Sequence, residues 1–326
     1  MQHKKALIAA AITAYFAASA NAAAETTIYG KLHTSVAAVS ADDGTTDTSS
    51  TEFKSNASRF GVKANKALAN GMEVSSKAEA QIDAVGDDTR SFKMRNIYIG
   101  LKGGFGEVRV GRHDSPHKIS TKKLEVFGDT YADYNNIITV DNRLSNVIAY
   151  MNHFGPIGVA AAYYGGDDSV DGENGGDATS GMINYDNGPL YLSAALESYA
   201  ADDVADADEL ETATKFGVGY TIGPVDLGLV YETLAFESSD DETEAYVSAG
   251  FKIADNMKLK AAYGMRDDDN SDTDDAVMSA VGLDYKMDKS ATLYALYANG
   301  TDGGLAKKGK LAGDSTAVAM GLIYKF

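Results

Sequence analysis

Apolar and polar residues trade places at every second position along most of this chain, and that pattern narrows its possible folds more than any other feature. Ile28, Gly30, Leu32, Thr34 and Val36 alternate with Tyr29, Lys31, His33 and Ser35. The same alternation runs through 72–83, 215–222, 225–232 and 257–265, and more weakly through 94–101 and 291–299. Successive side chains of a strand point to opposite sheet faces, so these stretches predict strands with one apolar and one polar face.

The breaks between them are of two kinds. Seven are short and carry turn residues: Ala69-Asn70-Gly71, Gly104-Phe105-Gly106, Gly155-Pro156-Ile157-Gly158, Asn187-Gly188-Pro189, Gly223-Pro224, Ala254-Asp255-Asn256 and Met287-Asp288-Lys289-Ser290. Gly, Asn and Pro supply the dihedral angles that tight hairpins require. Eight are long, at roughly 40–57, 84–92, 113–142, 165–179, 198–212, 233–243, 266–275 and 300–314. Short and long breaks alternate and together join sixteen strands. An even number of antiparallel strands, short turns at one end and long loops at the other, describes an all-β transmembrane barrel.

The apolar face must then look outward. Barrels of about eight strands can fill their interior with side chains, but sixteen leave a wide, wet lumen. The opposing face is rich in Lys, Glu, Gln, Ser and Gly, as a water-filled interior requires. Trp is absent, yet 19 Tyr and 11 Phe can form the aromatic girdles at the membrane surfaces. In the last segment, Val318, Met320, Leu322, Tyr324 and Phe326 alternate with Ala317, Ala319, Gly321, Ile323 and Lys325. An aromatic end on that apolar face fits a strand facing lipid and closing the barrel against residues 26–38.

Residues 1–24 read as a separate object. Lys4 and Lys5 precede the apolar run Ala6–Ala20, followed by Asn21-Ala22-Ala23-Ala24. A positive start, a short apolar stretch and small residues at the end predict a cleaved export signal, with cleavage after Ala22 or, preferred here, Ala24. Residues 25–326 then form a single barrel domain. The absence of cysteine excludes disulfides and thiolate metal sites. A formal charge of −18 argues against nucleic acid as a partner.

One stretch breaks the alternation for about thirty residues, His113–Arg143. It retains Leu124, Phe127, Tyr131, Tyr134, Ile137 and Ile138, so it has apolar surface to pack. Long connections without regular structure are usually functional or disordered. The apolar content predicts a loop folded inward. Its acids Glu125, Asp129 and Asp133 are spaced by four, which would stack them on one face of a helix.

Several segments resemble a general porin of the Gram-negative outer membrane: Ile28-Tyr29-Gly30-Lys31-Leu32, Ser58-Arg59-Phe60-Gly61-Val62-Lys63, Arg95-Asn96-Ile97-Tyr98-Ile99-Gly100-Leu101-Lys102-Gly103-Gly104-Phe105-Gly106, Val108-Arg109-Val110-Gly111-Arg112, Asp133-Tyr134-Asn135-Asn136 and Tyr324-Lys325-Phe326. The resemblance spans the whole chain after the leader and is most specific in its first 150 residues and its last ten. It implies a sixteen-stranded barrel with short periplasmic turns and long extracellular loops, assembled as a homotrimer for passive diffusion of small hydrophilic solutes and ions. It also implies an outer-membrane location, contact with lipid and lipopolysaccharide, and delivery by the barrel-assembly machinery through the strand bearing Tyr324 and Phe326.

The resemblance further implies that the third long loop narrows the lumen, its acids facing an arginine ladder on the wall. The ladder would consist of Arg59, Arg95 and Arg143, with Lys31 and Arg109 as additions. Alternation supports an inward Arg59, because Phe60 and Val62 take the other face. For Arg95 the two arguments conflict, since Ile97, Ile99 and Leu101 share its parity. The inward placement is preferred, because an arginine facing lipid near the midplane costs about 2–4 kcal/mol. Opposed rows of charge across an aperture create a transverse field and set ion preference. The ladder favours anions, whereas the acid-rich outer loops concentrate cations; the sequence expectation is a weak cation preference.

Other motifs carry little. Asp167, Ser169, Asp171 and Gly172 match the start of a calcium loop, but its twelfth position is Ala178 rather than Glu. His33, His113, His117 and His153 form no metal-spaced pair, no nucleophile elbow is present, and His113 and His117 read as imidazoles near a pore mouth. No enzyme, cofactor or metal is expected. A barrel serving mainly as an adhesin or phage receptor, or as a solute-specific channel, is the alternative.

Overall fold

The computed structural model describes residues 25–86, 92–165, 177–200, 210–237, 239–267, 275–307 and 309–326. The leader expected over 1–24 lies outside them, as does all but the end of the calcium-like stretch at 167–178. Strands β1 Glu25–Asp42, β2 Asp47–Ser55, β3 Arg59–Ala67, β4 Glu73–Ile82, β5 Phe92–Gly103 and β6 Gly106–Asp114 come first. After the long loop come β7 Arg143–Phe154, β8 Ile157–Tyr164, β9 Ala178–Asn187, β10 Leu190–Tyr199, β11 Leu210–Ile222 and β12 Val225–Phe236. The sheet ends with β13 Glu242–Ala254, β14 Met257–Asp267, β15 Ala276–Lys286, β16 Ala291–Thr301 and β17 Asp314–Lys325.

Every pairing is antiparallel between sequence neighbours except β1 with β3 and with β17. The β1–β17 pairing runs from Lys31↔Lys325 to Asp42↔Asp314 and closes the sheet into a barrel. Gly30 and Phe326 extend the seam, exchanging N–H···O bonds of 2.9 and 3.1 Å. A Cβ on Gly30 would come within 2.3 Å of the Phe326 ring, so the bare backbone there is the ring's seat.

Seventeen strand segments occupy sixteen positions around the barrel, because β2 and β3 pair with successive stretches of β1, 34–42 and 25–31. The second position is broken at Asn56-Ala57-Ser58, where Ala57 has φ +52°. The Asn56 N–H donates to the His33 carbonyl at 2.7 Å, and the Ser58 hydroxyl bridges the N–H and C=O of the same histidine. The long loop expected at 40–57 is therefore a short turn, 43–46, tied by the Asp42 and Asp43 carboxylates to the N–H groups of Gly44, Thr45 and Thr46. β2 hid from sequence reading because its first five residues are exposed on both faces, leaving no apolar alternation.

The two faces are inverted relative to a water-soluble sheet. In β17, Val318 and Met320 are 56 % and 54 % exposed, while Ala317 and Ala319 are 0 % and 1 % exposed. Large apolar side chains cover the outside throughout, Ile28, Leu32, Val36, Ile148 and Phe216 among them. Apolar cover on that scale belongs against hydrocarbon rather than water. The interior is occupied in part by the loop 115–142, which carries helix α1, Pro116–Ser120, and two 3-10 turns at 122–124 and 134–136. Ser115 caps α1 by accepting from the Lys118 N–H, and Pro116 opens it, where no N–H is needed.

Candidate functional site: a constricted lumen

The loop presents two different surfaces. On one side Leu124, Phe127, Tyr134, Ile137 and Ile138 are buried against the inner wall of β10 to β16. Close approach is possible because that wall is notched by glycines. A Cβ at Gly219 would stand 2.7 Å from Leu124, one at Gly264 2.9 Å from Ile137, and one at Gly282 2.8 Å from Phe127. Glycine inside a strand marks such approach.

Hydrogen bonds fix the same side. Ser248 donates to the Leu124 carbonyl at 2.8 Å, and Lys215 to the Val140 carbonyl at 3.0 Å. Asn142 donates to Glu197 at 2.8 Å, and Thr139 donates both its N–H and its hydroxyl to Glu244, at 2.8 and 2.5 Å. His117, fully buried, sets Nε2 3.1 Å from Glu232, which also lies 3.3 Å from Lys215. Burial, reinforced by Lys215, lowers the His117 imidazole to about 3, so it stays neutral. His117 thus anchors the loop and is no pore-mouth imidazole; His113 too is buried.

The other side of the loop faces a passage of ≈ 1500 Å³ bounded by β2 to β7. Arg59, Arg95 and Arg143 line it, as do Glu125, Asp129 and Asp133. Asp129, at φ +60°, reaches the wall and pairs with Lys31 and, at 3.5 Å, with Arg59. Burial opposes ionisation of Asp129, but Lys31 and Arg59 outweigh it and hold the carboxyl down to about 2. Arg95 bonds to Glu79 at 2.7 Å and Gln81 at 3.0 Å. Arg143 bonds to Asp114 at 2.7 Å and Asn96 at 3.0 Å.

Arg95 faces the lumen because β5 carries one extra residue there. Ala78 pairs with Ile97 but Ala80 with Met94, and the bulge reverses parity between Arg95 and Ile97. The conflict between alternation and placement is thereby removed. Arg109, in contrast, sits near the short turn at 104–105, where it pairs with Glu107 at 2.9 Å and lies 4.4 Å from the Tyr98 ring centre. It is no member of the constriction ladder.

The other two loop acids do not join Asp129 at Lys31 and Arg59. Asp133 accepts from the N–H groups of Asp129 and Asn135 at 2.7 and 2.9 Å. Glu125 packs beside Gly128 and next to Asp133; burial, then the charges of Asp133 and Asp129, push its carboxyl well above the usual carboxylate range. The four-residue spacing does not stack these acids, because this part of the loop is irregular between its two 3-10 turns.

Sequence reasoning also missed much of the lining. Lys54, Lys93, Arg112, Lys118, Lys122 and Lys310 face the passage, with Glu52, Asp83 and Asp141. Lys118 joins the loop to both its flanks, pairing with Asp141 at 2.9 Å and Asp114 at 3.5 Å. Lysines scattered over a loop, two strand ends and a distant connection share no sequence pattern. Only the fold collects them.

A sequence profile of Gram-negative porins matches residues 6–305. The major outer membrane protein P.IB of Neisseria meningitidis is 30 % identical over 197 residues, 58 % of this chain and 57 % of that protein. Outer membrane porin protein 32 of Delftia acidovorans is 30 % identical over 216 residues, 59 % of each chain. The match therefore spans less than two thirds of either relative. Among solved structures, the anion-selective porin from Comamonas acidovorans superposes with a TM-score of 0.78 at 22 % identity, covering 93 % of this chain and all of that one. The OmpT protein of Vibrio cholerae, in a trimer form, superposes with a TM-score of 0.68 at 22 % identity, again over 93 % and 100 %.

Proposed function

This chain belongs to the Gram-negative porin family, and from that premise we propose that it forms a water-filled pore for passive diffusion of small hydrophilic solutes and ions across the outer membrane. The observation that carries the proposal is the loop 115–142, held inside the barrel on one side and lining a hydrated passage on the other. A loop pinned by buried side chains cannot collapse onto the facing wall. It narrows the lumen without sealing it.

The passage works as a charge filter. Lys31, Arg59, Arg95 and Arg143 stand on the wall and Asp129 on the loop, giving a transverse field that orients dipolar solutes and disfavours apolar ones. Nine Lys and Arg line the passage against six Asp and Glu. For one of those six, Glu125, burial and the neighbouring acids oppose ionisation. The balance along the passage is cationic although the whole chain is acidic. Fields inside a low-dielectric aperture act at closer range than screened charges on outer loops. The pore is accordingly proposed to prefer anions, reversing the sign expected from net charge. The related Comamonas acidovorans structure is of an anion-selective porin, which agrees.

The working unit is proposed to be a homotrimer surrounded by lipid and lipopolysaccharide, with β17 and its Tyr324 and Phe326 presented to the assembly machinery. Reconstitution in planar bilayers tests both parts. Stepwise conductance closing in units of three is expected, with a reversal potential of anion-selective sign under a potassium chloride gradient. Absence of steps overturns the pore; a cation-selective sign overturns the filter.

A further inference from the structure

A second cavity, ≈ 590 Å³, lies behind the loop, between its returning arm and the wall of β10 to β14 at the long-loop end. It is separate from the passage. The bonds of Thr139 to Glu244, of Lys215 to Val140 and of Asn142 to Glu197 tie the arm to the wall one step nearer the middle of the barrel. Ligand pockets typically enclose about 300–1,000 Å³ and combine apolar walls with a few polar groups. This one has that make-up: Leu210, Leu234 and Phe236 form an apolar side, and Arg266 stands in its lining with Lys307 and the Glu242 carboxylate, a net positive set. Among the described residues, the Arg266 guanidinium makes no hydrogen bond or ion pair, whereas Arg59, Arg95, Arg109 and Arg143 each have a carboxylate partner. A planar, always-charged fork beside apolar surface matches a carboxylate carried on a hydrophobic body.

We propose that this cavity binds small carboxylates with an apolar body, the carboxylate held by Arg266 and the body against Leu210, Leu234 and Phe236. The site would retain such acids at the mouth of the channel, beside a passage whose transverse field disfavours their apolar part.

The chain contains no tryptophan, so Phe236→Trp places a single fluorophore in the cavity wall while keeping it apolar. Titrating the folded protein in detergent with 3-phenylpropionate should give a saturable change in emission. Acetate, lacking the body, and 3-phenylpropanol, lacking the charge, should bind at least about tenfold more weakly, as should 3-phenylpropionate to the Arg266→Gln form. Arg59→Glu, which alters the passage alone, should leave the titration unchanged. Equal binding to the Arg266→Gln protein overturns the proposal, as does loss of binding in Arg59→Glu. Folding of each form is read from heat-modifiable migration, and Leu210→Trp replaces Phe236→Trp if the latter does not fold. Because the titration needs no conductance, its outcome is independent of the pore reading.

Discussion

The two sides of the inward loop obey different rules. Toward β10–β16 it is dry: aromatic and aliphatic side chains enter glycine notches, and charges are buried in pairs. Toward β2–β7 it is wet: Asp129 reaches over to pair with Lys31 and Arg59, and Asp129 and Arg59 keep part of their surface in water. Dry contacts fix where the loop stands, and wet ones are proposed to decide what passes. Substitutions on the first side should therefore move stability and pore size, and substitutions on the second should move selectivity while the barrel stays folded.

The strongest way to break the contrast is at Lys215. It is fully buried, 3.3 Å from Glu232, and holds the Val140 carbonyl. Lys215→Met leaves Glu232 buried without its cation, and removing one partner of a buried pair costs about 3–5 kcal/mol. The urea midpoint of the purified barrel should fall accordingly, and single-channel current should become noisy as the returning arm loosens. An unchanged midpoint with quiet channels would mean the loop is held elsewhere.

A smaller effect of the same kind is expected at Gly282. A Cβ there meets the Phe127 ring at 2.8 Å and the Ala295 carbonyl at 3.0 Å, and neither can retreat without shifting the loop or a strand. Gly282→Val should cost about 1–3 kcal/mol by overpacking, partly offset by valine's preference for strands. Phe127 would be pushed toward the passage, so conductance should drop. A rise in conductance would show that the loop swings away from the aperture instead.

The dry and wet sides differ equally in how far the sequence reveals them. Alternation exposes β1, β11, β12, β14 and β17, because one face of each meets lipid and the other the lumen. The same logic fails for β2, polar on both faces, and across the bulge at Arg95, where one inserted residue reverses parity. The loop's inward fold is legible from its apolar residues. Its seats are not, because Gly219, Gly264 and Gly282 take meaning only from what packs on them. Asp129 was found by resemblance and does meet Lys31 and Arg59, whereas Glu125 and Asp133 turn to each other once the helical spacing is lost.

On the wet side, Arg59→Glu should alter selectivity with little change in folding. Arg59 is part-exposed and 3.5 Å from Asp129, and weakly screened surface charges seldom move stability beyond about 0.5 kcal/mol. Replacing it changes the lining of the passage by two charge units, so the reversal potential should move toward cations. An unmoved potential would place the selective region away from Asp129.

The finest distinction concerns Glu125, which belongs to both sides, lining the passage while packed against Asp133. Its carboxyl is raised in the folded loop, so it is protonated at pH values where an exposed glutamate is charged. For a group raised on folding, the stabilising balance is complete below the unfolded pKa, about 4.3, and is lost as pH rises through the folded one. Titrating upward through the raised pKa should add one negative charge to the passage and weaken the anion preference. Glu125→Gln keeps the neutral shape at every pH and should flatten that titration while leaving the selectivity below the raised pKa as it was. If the unaltered protein shows no drift in reversal potential as pH rises above the ordinary glutamate pKa of about 4.3, or if Glu125→Gln drifts as much, Glu125 does not set the charge of the passage, and the boundary between the two sides lies on the far side of that residue.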